Sequence, residues 1–538
     1  MFQQLLTPVG GSLALSFAVA SLPILAVLLI LGVLHRPAWQ ASLAGLVVGL
    51  VIAIGVWRLP VGLAVDATLN GMVFALWPVM WIVFNAMLLY NVSVISGRFD
   101  AFRRWTLDHL PNDRRVVLVA IGFCFGALLE GVAGFGTPVA ITSSLLILVG
   151  FAPLEALVYV LIFNTAPVAF GALGAPITVL GAVTGLPATA LGAMVGRQLP
   201  FMAFILPFYV MFAYGGARSV RALWPVLLVA GGSFALCQFG AANYLDYSLT
   251  DVLASLGSLI VTLGFLTVWK PAPDPEFAVA QRELVSGEAS RTPAWQGWLP
   301  WVIVAAVVIV WTSLKIFAIG QINVPWPGLD KAISITLYDN KPYAAVWQFQ
   351  PLATGTGILV AAIVTALACG LGVGGFLTSA VRTAQQIWIA TLTVCLIVGL
   401  AFLMNYSGLA YTLGLGVASV GALFVLLSPF LGWIAVFLSG SDTSGNALFG
   451  NLQVVASKQL GLNPVLFAAA NSSGGVMGKM ISPQNIATGV SVTDLKGREG
   501  AVFARTFPHS VVLTLILGLL VAFQQYVIPW IIPAVGGP

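Results

Sequence analysis

Charge is what this sequence most lacks. Of its 538 residues 7% are Asp, Glu, Lys or Arg and 59% are hydrophobic, where a soluble globular chain carries about 25% charged residues. Mean hydropathy is +1.02. Most of the length therefore has no water-facing surface to charge, which excludes an ordinary soluble domain. Histidine is scarce too: His35, His109 and His509 stand far apart near loops. There is no HExxH, GxSxG or P-loop run, so nothing points to a zinc protease, a serine hydrolase or an ATP-driven pump. No metal or cofactor is called for. The cysteines Cys124, Cys237, Cys369 and Cys395 lie in apolar segments without CxxC spacing and read as small packing residues. In such a chain the net charge of +5 is no nucleic-acid signature. It fits Lys and Arg gathered in cytoplasmic loops.

What is present is a series of apolar stretches of about 20 residues, each long enough to cross a hydrocarbon core of about 30 Å. They are apolar on all sides, unlike the alternating strands of a membrane barrel. The expectation is an all-α polytopic membrane protein of about 12–14 transmembrane segments, one of them beginning near Asp251. The first stretch, Ser12 to Leu34, contains Ala18-x-Ala20 but has no positive charge before it and runs well past that point. It reads as an uncleaved span. Ser96–Arg115 carries Arg98, Arg103, Arg104, Arg114 and Arg115, which places it in the cytoplasm and the N-terminus outside. Lys496–Arg505 is also basic and reads as cytoplasmic. Residues 270–298, rich in Pro, Glu and Ser, divide the chain into an N-terminal membrane half (1–269) and a C-terminal half (299–538). Residues 320–347 read as an extracytoplasmic loop.

A weak repeat relates the halves. Glu130 is followed by Gly131, Gly134, Phe135, Gly136, Thr137 and Pro138, then by Asn164-Thr165 and Pro176. Ser439-Gly440-Ser441-Asp442-Thr443-Ser444-Gly445-Asn446 is followed by Asn471-Ser472-Ser473 and Pro483. Each half thus sets an acid inside a Gly- and Ser/Thr-rich interruption of an apolar region. Irregular backbone at membrane depth is tolerated only where it lines a cavity or is buried in protein. Interruptions at corresponding places in two halves point to a transporter's substrate site.

Glu130 and Asp442 are the candidate proton-coupling groups, since ionisable residues within the membrane are rare and mark ion and proton pathways. For Glu130 the alternative is an ion pair or cap that holds the fold. Asp442, among hydroxyls, also suits a sodium ion or a structural cap. Arg197 and Lys479 are candidate partners for an anionic substrate, Arg197 through the planar fork that matches a carboxylate. For both the alternative is a snorkelling charge at the membrane surface. Gly134, Gly136 and Thr137, and likewise Ser441, Thr443, Ser444 and Asn446, form helix starts whose N–H groups attract anions. Asn164, Thr165, Asn471 and Ser472 complete the candidate substrate set. Plain capping is the alternative for each of them.

The runs GFCFGALLEGVAGFGTPVAIT (Gly122–Thr142), NTAPVAFGALGAPI (Asn164–Ile177), VGRQLPFM (Val195–Met202), LSGSDTSGNALFG (Leu438–Gly450) and GGVMGKMISP (Gly474–Pro483) closely resemble the L-lactate permease family of bacterial secondary transporters, which includes glycolate permeases. The resemblance extends over the whole chain. It implies symport of L-lactate, D-lactate or glycolate with protons, in the cell inner membrane, with small monocarboxylates, protons and lipid as partners. It also implies two inverted repeats with re-entrant helical hairpins. The hairpin tips would lie at Glu130–Pro138 and Ser439–Asn446, facing breaks at Asn164-Thr165 and Asn471-Ser472. The alternatives are a carrier for another carboxylate, a sodium-coupled carrier and a cation/proton antiporter. A membrane enzyme is disfavoured, because no nucleophile–base pairing is visible.

Overall fold

The computed structural model describes every residue except 35, 133, 135–136, 280–292, 492, 494, 496–497 and 535–538. Among the described residues ten helices are long and apolar enough to cross a membrane, eleven if the pair Pro153–Phe163 and Val168–Thr184, bent by 64°, is one span. The sequence leads to an expectation of 12–14 segments; three shorter apolar helices, Pro138–Leu148, Thr354–Ala368 and Leu409–Ala418, accompany the ten or eleven.

The two ends of the bundle differ. At one, strand Phe2–Gln3 pairs in parallel with Ile333–Ile335, which pairs antiparallel with Lys341–Pro342. Ile322–Pro325 and Val346–Phe349 form a second small sheet there. The N-terminus and the loop 320–347 therefore share this end. At the other end arginines collect. Arg115 reaches Asp113 at 2.7 Å and Asp274 at 3.4 Å, and Arg218 also reaches Asp274 at 3.2 Å. Asp274 lies in the expected linker, so its described part is docked on the bundle.

Two helical hairpins enter from opposite ends. The helix Arg114–Val132 starts at the arginine-rich end, and Thr137–Leu148 returns beside it. Arg114 donates to the Gly150 carbonyl at 3.0 Å, and a Cβ on Gly126 would meet Thr142 Oγ1 at 3.4 Å. In the second hairpin Phe424–Ser439 pairs with Asp442–Gln459, Ser428 Oγ donating to Gln453 Oε1 at 2.8 Å. Its open side lies at the sheet end, where Lys458 sits over the Tyr338 ring at 4.7 Å. A broken span follows each hairpin: Pro153–Phe163 with Gly171–Thr184, and Pro464–Lys479 with Pro483–Ser491. The long helices Ala188–Tyr244, which bends at Gly216, and Glu499–Tyr526 come next. The order hairpin, broken span, long helix thus occurs twice in opposite orientation.

Local chemistry explains the interruptions. At the second tip Gly440 takes φ +69 as the helix cap, a conformation glycine adopts without a steric penalty. Ser441 then caps the next helix, accepting from Ser444 N at 3.3 Å. In the first broken span Ala172, Leu173 and Gly174 are all left-handed, with φ of 45, 54 and 81. That run ends the helical geometry before Pro176. The second broken span corrects the expected break. Asn471 and Ser472 lie inside the continuous helix Pro464–Lys479. The chain breaks instead at Met480–Ser482, ahead of Pro483, because proline disfavours helix at the residue before it.

The outer helices pack closely through glycine, as spans do when small residues let backbones approach. A Cβ on Gly71 would fall 2.7 Å from the Val398 carbonyl, and one on Gly355 2.7 Å from the Trp81 ring. The N-terminal spans therefore pack directly on helices of the second half.

Candidate functional site

The two tips and the two breaks converge at the centre of the bundle. Glu130, near the end of the first hairpin arm, is 3% exposed, and Lys479, the last residue of the helix before the second break, is 6% exposed. Lys479 Nζ donates to Glu130 Oε1 at 2.6 Å. Asn164, at the first break, donates to Glu130 Oε2 at 3.0 Å. Gly171 leaves room for the carboxylate, since a Cβ there would lie 3.1 Å from Glu130 Oε1. The acid of the first tip is thus held by an amide from its own half and an ammonium from the other half.

Asp442 is arranged likewise in the second half. Ser472 Oγ donates to Asp442 Oδ2 at 2.5 Å, and Asn446 Nδ2 donates to the same oxygen at 3.1 Å. Ser472 lies 30 residues after Asp442, and Asn164 lies 34 after Glu130. Each tip acid therefore takes a bond from the broken span that follows it. Asn446 also donates to the Pro176 carbonyl at 3.2 Å, joining the second tip to the first broken span. Asn471 fixes the tip from behind, donating to Asn446 Oδ1 at 3.0 Å.

Glu130, Gly134, Asp442, Thr443, Ser441 and Lys479 border a cavity of about 40 Å³. That is room for a few water molecules, each of which needs about 10–15 Å³ of such space. The charged pair itself is nearly inaccessible to solvent, and the space beside it is too small for a hydroxy acid in this conformation. A larger cleft of about 590 Å³ lies between the outer helices and the second tip. Arg36 borders it, and so do Ser441, Ser444 and Gln484. Ser441 and Gln484 border the small cavity too, so the two spaces are neighbours across those side chains.

The remaining expected residues sort as follows. Thr165 bonds back to the Ile162 carbonyl at 2.8 Å and serves the break itself. Gly136 and the side chain of Thr137 lie outside the described residues. Arg197 is not among the described residues bordering the cavity. It donates to Asn243 Oδ1 at 2.7 Å and to the Ile531 carbonyl, tying its helix to the C-terminal segment. Lys479, which carried the same ambiguity, is the central cation. Sequence reasoning missed Gln484, and it missed Gln198, whose Oε1 accepts from Ser473 Oγ at 2.7 Å. It also read Asp251 only as the start of a span, although that carboxylate is 1% exposed. Polar residues inside apolar segments were the available signal for all three.

Comparison with known proteins adds family context. The profile of the L-lactate permease family matches residues 16–528. An L-lactate permease of Salmonella typhimurium is 40% identical over 551 residues, covering 99% of this chain and 100% of the relative. The glycolate permease GlcA of Escherichia coli is 40% identical, covering 97% and 98%. Among solved structures, Neisseria gonorrhoeae MtrF, described as one of a class of antimetabolite efflux pumps, aligns with a TM-score of 0.51 at 13% identity, over 94% of this chain and 98% of that one. At that identity the likeness speaks for the fold alone.

Proposed function

This chain belongs to the L-lactate permease family, and we propose that it imports L-lactate, with D-lactate and glycolate, by proton symport across the bacterial inner membrane. The observation that carries the reading is the buried Glu130–Lys479 pair beside Asp442. As an ion pair it is neutral. Closing over a lactate anion would bury a net negative charge, which is strongly unfavourable in a low-dielectric site. Taking one proton with the anion restores neutrality. It also removes the penalty of about 2.3 kcal/mol per charge per 100 mV for moving an anion inward against the membrane potential.

In this scheme the substrate carboxylate takes Lys479 as its counter-ion, together with N–H groups of the tips. Glu130, released from Lys479, accepts the proton and keeps the Asn164 contact. Asp442 lies across the cavity, held by Ser472 and Asn446, and is the second candidate for carrying the proton. Ser441 and Thr443, which border the same space, are placed to bond the 2-hydroxyl. The arginine-rich end is assigned to the cytoplasm by the positive-inside rule. The cleft beside Arg36 then becomes the inner route, reached when the second tip moves against the outer helices. Rocking of one bundle against another around a fixed site is how such repeats exchange access.

Counterflow of labelled L-lactate in proteoliposomes, with and without a pH gradient and with and without sodium, tests the reading. Saturable counterflow and accumulation driven by the pH gradient alone are expected. Accumulation that requires sodium, or an absence of counterflow, would overturn it.

A further inference from the structure

One buried acid next to this site has no part in the scheme above. Asp251 lies in the first turn of the helix Thr250–Val268 and is 1% exposed. Among the described residues neither of its carboxylate oxygens has a hydrogen-bond partner. It is not the cap of its helix: Leu249 holds that position, and Asp246 caps the short turn Tyr247–Leu249 before it, accepting from Ser248 N at 2.8 Å. It packs on the hairpin arm one residue from Glu130: a Cβ on Gly131 would fall 2.8 Å from Asp251 Cβ.

The other titratable groups on the elements around it are engaged elsewhere. Tyr247 meets Thr178 Oγ1 at 3.0 Å. Cys124 meets Ser258 Oγ at 3.2 Å. Cys237, on the long helix, packs at Gly257 farther along. A buried carboxylate with no donor and no cation of its own is far more stable as the neutral acid than as the anion. A buried group left unbonded calls for a physical reason.

We propose that Asp251 is the proton donor to Glu130, resting on the symport reading above. When the substrate carboxylate takes over Lys479, Glu130 loses its counter-ion. The Asp251 O–H bond then breaks, an O–H bond forms on Glu130, and the electron pair stays on Asp251 as a carboxylate. A proton from the aqueous phase replaces the one given up. The absent side chain of Gly131 lets Asp251 pack directly on the arm that carries Glu130. Asp251 is a relay and touches no substrate, so its loss acts on coupling rather than on lactate affinity.

The test compares wild type with Asp251→Asn in proteoliposomes, alongside infrared spectra of both. Net uptake driven by a pH gradient should fall about a hundredfold, the low end of what a positioned proton donor contributes. Its pH profile should flatten while exchange of labelled lactate persists. The infrared difference should show the carbonyl band of a protonated carboxylic acid present only in wild type. Wild-type net uptake and pH profile in Asp251→Asn, or no such band, would overturn the relay and leave symport standing. If wild type itself moves lactate without protons, symport fails first. Should Asp251→Asn not fold, the infrared band can be sought in the full-length wild type as one that shifts in Asp251→Glu.

Discussion

Breaking the central ion pair from either side should cost stability, and removing both charges together should restore much of it. The Lys479–Glu130 separation is 2.6 Å with both groups nearly inaccessible. At an effective dielectric of about 20 the gross attraction is about 6 kcal/mol. Desolvation of both ions cancels much of that, and removing one partner of a buried pair typically costs about 3–5 kcal/mol. Lys479→Met leaves Glu130 with Asn164 alone, and Glu130→Gln leaves an ammonium buried without an anion. The double variant has no uncompensated charge and should lie well above either single one. Thermal unfolding of the four proteins in detergent gives the cycle, with an expected coupling of about 3 kcal/mol. Lactate should add stabilisation to wild type but little to Lys479→Met. A charge-assisted hydrogen bond of about 1.5–3 kcal/mol lost from the substrate corresponds to an affinity about tenfold to a hundredfold lower. Additive losses in the double variant, or full lactate stabilisation of Lys479→Met, would refute the reasoning.

Other consequences follow from the same geometry. Glu130→Gln should abolish accumulation driven by a pH gradient while labelled lactate still exchanges, and normal accumulation would remove Glu130 from coupling. Arg197→Ala should lower thermal stability and leave the KM for lactate unchanged, because its guanidinium is spent on Asn243 and Ile531; a raised KM would return it to the site. Gly171→Ala should impair transport by crowding the Glu130 carboxylate, read as a lower initial uptake rate in vesicles with normal protein content. A cysteine placed at Thr393, which borders the cleft beside Arg36, should react with a membrane-impermeant thiol reagent from the cytoplasmic side only. Labelling from the outside would reverse the assigned orientation.

Much of the site was legible because physics makes intramembrane polarity conspicuous. Glu130, Asp442 and the Gly- and Ser-rich tips stand out against apolar neighbours, and they meet as that contrast suggests. Lys479 did not declare its partner. Its contact with Glu130 spans 349 residues, which no local pattern encodes, and Arg197 carried the same signature yet is used elsewhere. The run Gly474–Gly478 follows the misplaced break at Asn471 and Ser472. Those glycines instead admit close helix packing: a Cβ on Gly474 or Gly478 would press into the Pro429 or Trp433 carbonyl. Glycine for close approach and glycine for a break look alike in one dimension. Asp251 escaped notice because an acid at the start of a span resembles a surface residue until the hairpin tip is packed over it.

The most direct measurement records lactate uptake and proton uptake together in proteoliposomes held at zero membrane potential without sodium. A site that stays neutral when it closes predicts one proton taken up per lactate, and an initial rate that does not change when a potential is imposed. Lactate entry without matching proton uptake, or a rate that falls as the interior is made negative, would contradict it.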